Sequence, residues 1–314
     1  MTQSICVIGA GVAGLTCARE LRAAGHSVVI WDKGRGVGGR CATRRAEGGL
    51  QFDHGAQYVT AKSEAFQAVL SEAAEAGAVA TWPGHPSKTR WVGTPGMSAL
   101  AKYLAHGLDV TQSRHVTAVQ ETYDTVTVHV GEEAEVFDLV VSTLPAPQMI
   151  PLIADDADLT AALGRVTYDP CLTLMAALEL PRPDLPDSQR EPEEALSWLA
   201  RDTSKPGRPG QAESWVAHAS PEWSARHLEL EMDEIAQALT AEFCARLGID
   251  RAALIHAVAH RWRYAAVRNA LGRDFAQSRG GRIYCGGDWC LAARVEAAFE
   301  SGLAIARHIL AAEP

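Results

Sequence analysis

Three glycine-rich segments, two near the start of the chain and one near its end, have the composition of loops that bind dinucleotide phosphates. Residues 9–14 (GAGVAG) follow the apolar run Ile5–Ile8 and open a helical stretch. Residues 34–40 (GRGVGGR) come just after the acidic Asp32, and residues 286–288 (GGD) precede another helical stretch. A single glycine motif is a weak signal. The three in this order predict an FAD site rather than a site for a nicotinamide cofactor alone.

The first segment has a glycine at each position where a nucleotide-binding turn requires one. Gly9 permits the tight turn, Gly11 lets the pyrophosphate approach the backbone, and Gly14 lets the helix pack against the strand. The helix then offers free N–H groups and the positive end of its dipole to the phosphates. Asp32 is expected to accept hydrogen bonds from both hydroxyl groups of the adenosine ribose.

The other two segments supply charged residues to the same site. Arg35 and Arg40 are expected to neutralise the charge of the pyrophosphate. Asp288 is expected near the ribityl chain or a phosphate, although a Gly-Gly turn with a capping Asp is an alternative. The adjacent Arg44 and Arg45 belong to the same basic patch, and a solvated pair of charges without a binding role is an equally good interpretation. We predict that the residues that bind the cofactor are Gly9, Gly11, Ala13, Gly14, Asp32, Lys33, Arg35, Gly39, Arg40, Ala56, Val116, Asp288, Val295 and Glu296.

The elements that must position these residues begin with a β-α-β unit, predicted from a strand at 5–8, a helix at 12–24 and a strand at 28–31. Apolar periodicity predicts further helices and strands along the chain. The helices are expected at 63–77, 97–105, 229–247 and 292–311, and the strands within 110–144 and at 172–178, 196–200, 213–217 and 282–287. Residues 81–95 are expected to be irregular, and 181–194 to be an exposed loop.

This order predicts an α/β protein with two domains. The FAD-binding Rossmann-type domain is expected to comprise residues 1–70, 96–164 and 268–314. The remaining residues, 71–95 and 165–267, are expected to form a substrate domain.

Composition limits the classes of function. The chain has 314 residues, of which 47% are hydrophobic, and its 29 basic and 38 acidic residues give a net charge of −9. This balance argues against nucleic acid or an anionic membrane as a partner. We expect a cytoplasmic protein, because no segment resembles a membrane span or a signal peptide and the seven cysteines lack CxxC spacing. No metal site is predicted, since nothing supplies a second pair of ligands to Cys285 and Cys290.

Longer motifs resemble a known group, the amine-oxidase-like flavoproteins, and within it the bacterial renalases. The resemblance spans nearly the whole chain. It is carried by residues 32–40 (DKGRGVGGR), 53–60 (DHGAQYVT), 90–93 (RWVG), 95–99 (PGMSA), 197–201 (SWLAR), 204–206 (SKP), 215–219 (WVAHA), 260–265 (HRWRYA), 285–290 (CGGDWC) and 294–296 (RVE). One departure is Asp32, because many FAD enzymes of the wider group carry Glu there.

The resemblance implies a p-hydroxybenzoate-hydroxylase-like fold, with a Rossmann-type FAD domain, a mixed-sheet substrate domain and non-covalent FAD. It also implies an activity. Renalases oxidise dihydronicotinamide dinucleotides whose extra hydride sits at the 2- or 6-position, giving NAD(P)+ and, through molecular oxygen, hydrogen peroxide. Bacterial members favour the 2-dihydro isomers.

Such a reaction needs little acid–base catalysis, because loss of hydride restores the aromaticity of the ring. We therefore assign no catalytic acid or base, and look for residues that orient the dinucleotide substrate. Gln57, Tyr58 and Thr60 are expected to line the flavin face, and Arg201 and Lys205 to meet the substrate's phosphates, unless these two belong to a solvated loop. The aromatic walls are expected to be Trp198, Trp215, Trp262 and Tyr264, for each of which core packing is the alternative.

Two other functions remain open at this point. The first is oxidation of amines, or desaturation of apolar substrates, by the same cofactor. The second is flavin binding without turnover, as in a sensor or scaffold. The sequence does not indicate an oligomeric state.

Overall fold

The structure is a computed structural model, and it describes residues 2–84, 87–210 and 212–312. The α-helices in this part of the chain are α1 (Val12–Ala23), α2 (Glu64–Glu75), α3 (Ser98–Ala105), α4 (Ala146–Met149), α5 (Ala157–Leu163), α6 (Pro221–Arg226), α7 (Met232–Leu247) and α8 (Val295–Ala311). The strands are β1 (Ser4–Ile8), β2 (Ser27–Trp31), β3 (Arg44–Arg45), β4 (Gln51–Phe52), β5 (Val79–Trp82), β6 (Arg90–Gly93), β7 (Asp109–Thr111), β8 (Ala118–Glu121), β9 (Val126–Val130), β10 (Glu133–Phe137), β11 (Leu139–Ser142), β12 (Thr167–Leu178), β13 (Ser188–Arg190), β14 (Leu196–Arg201), β15 (Glu213–Ala219), β16 (Leu254–Asn269), β17 (Ala276–Gln277) and β18 (Ile283–Cys285).

A six-stranded sheet in the order β17-β18-β11-β1-β2-β7 carries the predicted nucleotide site. All its pairs are parallel except β17–β18, and β1 lies between β11 and β2 at its centre. The predicted β-α-β unit is confirmed. The sheet therefore directs the carboxyl ends of β1, β2 and β11 to one edge, where ligands of such sheets bind.

The first and last helices pack closely behind this edge. A Cβ atom at Gly302 of α8 would lie 2.1 Å from the carbonyl oxygen of Ala13 in α1. Only glycine permits this approach, and on this contact we propose that the N-terminal and C-terminal parts of the chain form one domain. The meander β8-β9-β10, which leads back to β11, is also confirmed.

A second sheet, in the order β13-β14-β15-β12-β16, forms the other half of the molecule. Its four strand pairs are all antiparallel, and α7 covers one face. The mixed sheet is thus the six-stranded one, whereas the resemblance placed a mixed sheet in the substrate domain. The other face of this antiparallel sheet lies towards the segment that follows β4.

Residues 81–95 differ from the prediction of irregular structure, because β5 and β6 form an antiparallel pair. Their buried side chains Val79, Trp82 and Val92 join the core around α1, α2 and α3. The predicted boundary at residue 70 falls inside α2. We therefore propose that residues 71–95 belong to the FAD-binding domain.

Three smaller differences concern the second half of the chain. Strand β13 lies inside the predicted loop 181–194 and pairs with β14. Helix α7 begins at Met232 rather than at 229, because the side chains of Glu231 and Glu234 form a capping box there. The helix predicted from 292 begins at Val295. None of the helices in the described ranges is long and apolar enough to cross a membrane.

Candidate functional site

The first glycine segment forms the turn from β1 into α1. Gly9 has φ +109°, and a Cβ atom at Gly14 would lie 2.0 Å from the carbonyl oxygen of Gly9, so the fold requires glycine at both positions. At Gly11, by contrast, a Cβ atom would meet no atom of the described chain within 4 Å. No side chain caps α1, and its first turn contains no acidic residue. This end of the helix therefore offers N–H groups and open space to an anion.

Asp32 connects the first and second glycine segments. Its Oδ2 accepts a hydrogen bond from the N–H of Ala10, and its Oδ1 accepts one from the N–H of Gly34, each at 2.6 Å. Each carboxylate oxygen retains acceptor capacity beyond these bonds. Asp32 can thus fix the loop and still accept ribose hydroxyl groups, as the sequence predicts.

The second segment lies directly against the first. The N–H of Gly38 donates to the carbonyl of Ala10 at 2.8 Å. Gly39 has φ +52°, and its nearest neighbour in the direction of a Cβ atom is the Cα of Gly11, at 3.9 Å. The two loops therefore border the same open space.

Arg40 is paired within the protein. Its Nη1 and Nη2 donate to Oδ2 and Oδ1 of Asp288 at 2.9 and 2.5 Å, and Nη1 also donates to the carbonyl of Ala265 at 3.0 Å. Asp288 offsets this charge, and the contacts of Arg40 and Asp288 with the cofactor remain predictions. Arg40 and Asp288 hold the second and third glycine segments together, and the N–H of Ala56 donates to the carbonyl of Arg40 at 2.8 Å.

A small cavity of about 50 Å³ lies beside the end of β2. Val116 is buried in its wall, and Lys33 lines it with its Nζ 3.0 Å from Oε1 of Gln148. Arg114 also lines the cavity and lies 4.1 Å from the ring centre of Trp31. Sequence reasoning missed Arg114 and Gln148. Arg35 is exposed and has no ion pair or side-chain hydrogen bond with the described residues.

Glu296 lies in the first turn of α8 and is almost fully buried. Its Oε1 accepts hydrogen bonds from the N–H groups of Lys62 and Ser63, at 2.6 and 2.8 Å, just before α2. Its Oε2 is buried and accepts no hydrogen bond from the described residues, although it lies 3.6 Å from Nε of Arg294, so it can still accept a hydrogen bond from a ligand. The preceding Val295 packs against the core of the six-stranded sheet.

These features fit FAD. The uncapped N-terminus of α1 and the open space at Gly11 fit phosphates. The remaining acceptor capacity of Asp32 fits ribose hydroxyls. Oε2 of Glu296, which accepts no hydrogen bond from the described residues, fits an N–H or O–H donor of the cofactor. The described residues contain no cluster of His, Cys, Asp or Glu that could hold a metal ion. Cys285 and Cys290 are buried, and burial raises the pKa of both thiols.

Four side chains form a row across the inner face of the antiparallel sheet. Trp198 pairs with His218, His218 pairs with Thr173, and Thr173 pairs with His260, so that four adjacent strands each contribute one residue. Directly paired residues point to the same face of a sheet. We call these four residues the sheet row.

The segment 54–58 lies over the sheet row. The Tyr58 ring lies 5.8 Å from that of Trp198, and the His54 ring lies 4.7 Å from that of His260. Gln57 lies between them, with its Nε2 at 3.5 Å from Nε2 of His218. Thr60 is half-buried just beyond Tyr58. The structure thus brings the predicted Gln57, Tyr58 and Trp198 together.

Trp262 also belongs to this surface. Its ring stacks on that of His54 at 5.1 Å, and its Nε1 donates to the carbonyl of His54 at 2.9 Å. Trp198 differs, because its Nε1 is buried and has no acceptor among the described residues. Tyr264 packs against Tyr168, with 5.5 Å between the ring centres.

The histidines at this face are held in their neutral form. Burial lowers the pKa of His54 and of His218 to about 4. Burial, followed by the nearby charge of Arg44, also lowers the pKa of His256 and His260. Sequence reasoning missed this cluster, although the alternation in WVAHA and HRWRYA would have put its histidines on one face.

Lys205 lies in a buried cluster of charges rather than in an open pocket. Its fully buried Nζ lies 2.5 Å from Oδ1 of Asp202 and 3.5 Å from Oδ2 of Asp53, and Arg208 also pairs with Asp53. The charges of Lys205 and Arg208 hold the pKa of Asp53 low despite its burial. The structure does not support the prediction that Lys205 meets substrate phosphates, because both carboxylates already neutralise it.

Arg201 and Trp215 lie on the opposite face of the sheet. They pair with each other across β14 and β15, and Trp215 packs against Phe243 of α7 at 6.1 Å. The Arg201 guanidinium lies 3.3 Å from Glu213 and donates to the carbonyl of Arg182 at 2.8 Å. The predicted substrate contacts of both residues are thus not supported, since they belong to the core beneath α7.

Arg44 is a cation near the site that remains unpaired. It is exposed, and among the described residues it has no ion pair or hydrogen-bond partner. It pairs across β3 and β4 with Phe52, whose ring stacks on that of His256 at 5.2 Å. Arg44 therefore lies beside the histidines of the site.

Family models match most of the chain. Residues 7–73 match the NAD(P)-binding Rossmann-like domain, and residues 81–310 match the flavin-containing amine oxidoreductase family. Mouse (Mus musculus) renalase is 31% identical over 180 residues, which are 51% of this chain and 52% of renalase. A flavin-containing monooxygenase of Arabidopsis thaliana is 60% identical over 38 residues, which are 12% of this chain and 8% of that protein. The matches thus span about half or less of these relatives.

Solved structures of amine oxidases share the fold over the whole chain. Putrescine oxidase, solved with bound putrescine, has a TM-score of 0.73 at 16% identity and 99% coverage of both chains. Cyclohexylamine oxidase from Brevibacterium oxydans has a TM-score of 0.76 at 12% identity, with 98% of this chain and 99% of that chain covered. These structures share the fold, and the family model over residues 81–310 shows that the chain belongs to the flavin-containing amine oxidoreductase family, as a renalase-like flavoprotein with FAD as its cofactor.

Proposed function

We propose that the protein is an FAD-dependent oxidase of isomeric dihydronicotinamide dinucleotides, with 2-dihydro-NAD(P) as substrate, and that its fold is p-hydroxybenzoate-hydroxylase-like. FAD, when bound, accepts the hydride and passes two electrons to molecular oxygen. Each turnover then converts one dihydronicotinamide, one dioxygen and one proton into NAD(P)+ and hydrogen peroxide.

The observation that supports this function most directly is the distribution of charge at the inner face of the antiparallel sheet. The histidines there are neutral at pH 7, because burial lowers their pKa. The carboxylates of Asp53 and Asp202 are buried and paired with Lys205 and Arg208. A protonated amine would therefore meet no free carboxylate among these residues.

A dihydronicotinamide dinucleotide matches this distribution better. Its ring is neutral before the reaction and cationic after it, so neutral histidines neither repel the substrate nor oppose the product. The buried guanidinium of Arg90 lies nearby, 4.8 Å from the ring centre of Tyr58 and 5.5 Å from that of Trp198. Its phosphates are anionic, and the exposed Arg44 lies beside the histidines without a partner. We therefore assign phosphate recognition to Arg44 instead of Arg201 and Lys205.

The chain's own residues bind and orient the substrate without a catalytic acid or base. The rings of Tyr58, Trp198 and Trp262 offer flat apolar surface, against which a planar ring packs. The buried Nε1 of Trp198 is a donor for a polar group of the substrate. Together these contacts hold the ring in one orientation, which is the main requirement for a hydride transfer.

Oxidation of an amine is the second candidate, since both solved structures named above are amine oxidases of the same fold. The two are distinguished by peroxide formation in air with 2-dihydro-NAD(P), 6-dihydro-NAD(P), ordinary NAD(P)H and a set of primary amines. We expect peroxide with the 2-dihydro isomers at a rate well above that with any amine. Faster turnover of an amine would replace the proposal by the second candidate, and no turnover with any compound would favour a flavin-binding protein without catalysis.

A further inference from the structure

Lys205, Gln57 and His218 form a chain of contacts between the buried charges and the sheet row. The Nζ of Lys205 lies 3.1 Å from Oε1 of Gln57, and Nε2 of Gln57 lies 3.5 Å from Nε2 of His218. An ammonium group can only donate hydrogen bonds, so the Gln57 atom that faces Lys205 must be the oxygen. The position of Lys205 therefore favours the orientation of Gln57 in which the amide nitrogen faces His218.

The atom that faces His218 is an amide nitrogen, which cannot accept a hydrogen bond. It donates its two hydrogens to the carbonyls of Asp53 and Gly55, the latter at 3.1 Å, and these bonds fix the plane of the amide. A proton on Nε2 of His218 would place one N–H group against another. An unprotonated Nε2 avoids this contact, and Nδ1 can then donate the hydrogen bond that the ring makes to the backbone of His54.

Lys205 itself has one available position. Its Nζ has no solvent exposure and lies between Asp202, at 2.5 Å, and Asp53, at 3.5 Å. The charged and titratable groups around the His218 ring are Lys205, Asp202 and Arg208 from the loop after β14, Asp53 and His54 from the segment after β4, Cys171 from β12 and His260 from β16.

We propose that Gln57, held by Lys205 and by the carbonyls of Asp53 and Gly55, is a positioning residue that keeps Nε2 of His218 unprotonated, and so keeps the sheet row uncharged. The benefit to catalysis rests on the proposed function, because a charged row would oppose the positive charge that the nicotinamide ring gains. The low pKa of His218, caused by burial, agrees with this arrangement. The arrangement of hydrogen bonds exists with or without a substrate, so it can be tested separately.

The test is ¹⁵N NMR of the histidine side chains in the FAD-bound protein, with His218 assigned from a His218→Gln variant. We expect the Nδ1–H tautomer in the unmodified protein from pH 7 to pH 5. In Gln57→Glu, the new carboxylate accepts a proton from Nε2, so the ring becomes protonated and its pKa rises by about two units or more. An Nε2–H tautomer in the unmodified protein, or an unchanged pKa in Gln57→Glu, would overturn the proposal.

Two further variants serve as a control for the chemical change and as a second test of the tautomer. Gln67→Glu makes the same chemical change at an exposed position of α2 and should leave the titration of His218 unchanged. Gln57→Met keeps the length of the side chain but removes its donor, so it should populate the Nε2–H tautomer even if Gln57→Glu fails to fold. Persistence of the pure Nδ1–H tautomer in folded Gln57→Met would also overturn the proposal.

A kinetic experiment tests whether the neutral state of His218 matters for the proposed function. Gln57→Glu should slow flavin reduction by 2-dihydro-NAD(P) at pH 6 by more than it does at pH 9, where His218 is again neutral. A loss that is equal at both pH values would show that the uncharged row has no catalytic role. If the unmodified protein oxidises no dihydronicotinamide, the proposed function fails, whereas the NMR result still decides the tautomer.

Discussion

The guanidinium of Arg40 and the carboxylate of Asp288 form a two-pronged ion pair between residues separated by 248 positions in the sequence. Arg40 ends the second glycine segment, and Asp288 ends the third. The pair therefore closes the nucleotide site by joining its N-terminal and C-terminal parts. The backbone N–H groups at the start of α1 and the remaining acceptor capacity of Asp32 are further predicted contacts of the cofactor.

The Arg40–Asp288 pair should contribute to stability because its carboxylate is buried. Asp288→Asn keeps the shape of the side chain but leaves Arg40 without a counter-charge, so we expect Tm of the apoprotein to fall by roughly 3–5 °C. Differential scanning calorimetry measures this change. Asp184→Asn, which breaks an exposed Arg–Asp pair of 2.7 Å, is the matched control and should change Tm by less than about 1 °C. Equal effects of the two substitutions would contradict the structural role of Asp288.

Gly11 should be required by the cofactor rather than by the fold. Its φ of −80° and ψ of 177° suit alanine, and a Cβ atom would meet no described atom within 4 Å. Gly11→Ala should therefore change the Tm of the apoprotein by no more than about 2 °C. It should weaken FAD binding at least about tenfold, because the methyl group fills the space left for the pyrophosphate.

The measurement for Gly11→Ala is a titration of apoprotein with FAD, followed by quenching of flavin fluorescence. Gly210→Ala is the control, since a Cβ atom there also meets nothing within 4 Å and the residue lies outside the nucleotide site. Unchanged FAD affinity in Gly11→Ala would place the pyrophosphate elsewhere.

Arg44 should determine how tightly an anionic substrate binds. Arg44→Ala should raise KM about 5- to 20-fold with little change in kcat, because it removes one charge-assisted hydrogen bond to a phosphate. The difference from the unmodified protein should shrink at 0.5 M salt. Steady-state kinetics with 2-dihydro-NAD(P) at two ionic strengths measures both effects.

Two other arginines serve as controls for Arg44. Arg45→Ala removes the same charge from the next position of β3, whose side chain points to the other face, and should change KM less than about twofold. Arg201→Ala should lower Tm, because it leaves Glu213 buried and unpaired, but should leave KM unchanged. A larger rise of KM in either control than in Arg44→Ala would move phosphate recognition away from Arg44.

The stability of the protein should depend on the neutral histidines. Burial lowers the pKa of His54 and of His218 to about 4, whereas an unfolded histidine has a pKa of about 6.5. The unfolded chain therefore binds more protons between these values. The stabilising contribution is fully present above about pH 6.5 and is lost as the pH falls towards 4.

From this difference we expect Tm to fall by about 5 °C between pH 7 and pH 5. Scanning fluorimetry of the apoprotein across this range measures the change, and His218→Gln should show about half of it. A Tm that stays constant from pH 7 to pH 5 would mean that these histidines have the same pKa in the folded protein as in the unfolded chain.

The nucleotide-binding half could be predicted from the sequence because its signals are local. Gly9, Gly11 and Gly14 act within one turn, and Asp32 binds backbone atoms at Ala10 and Gly34 that lie in the adjoining motifs. Strand and helix periods in this half are also regular. The motif residues alone were therefore enough to predict where the glycine loops and Asp32 lie.

The arrangement of the predicted substrate residues depends on contacts between segments that are far apart in the chain, which a single sequence does not reveal. Lys205 resembled a free cation in a loop, but its neutralising partners Asp53 and Asp202 come from two different segments. Trp215 resembled a pocket wall, but the register of β15 turns it towards α7. His218 and His260 became part of the site only because Thr173 lies between them in the sheet.

The most direct test of the proposed function is an anaerobic titration of the FAD-bound protein with 2-dihydro-NAD(P), followed by visible absorbance. We predict that one equivalent bleaches the flavin band within seconds, and that air restores the colour with release of hydrogen peroxide. A flavin band that persists with dihydronicotinamides, but is bleached by an amine, would contradict the assigned substrate while leaving the family and the cofactor unchanged.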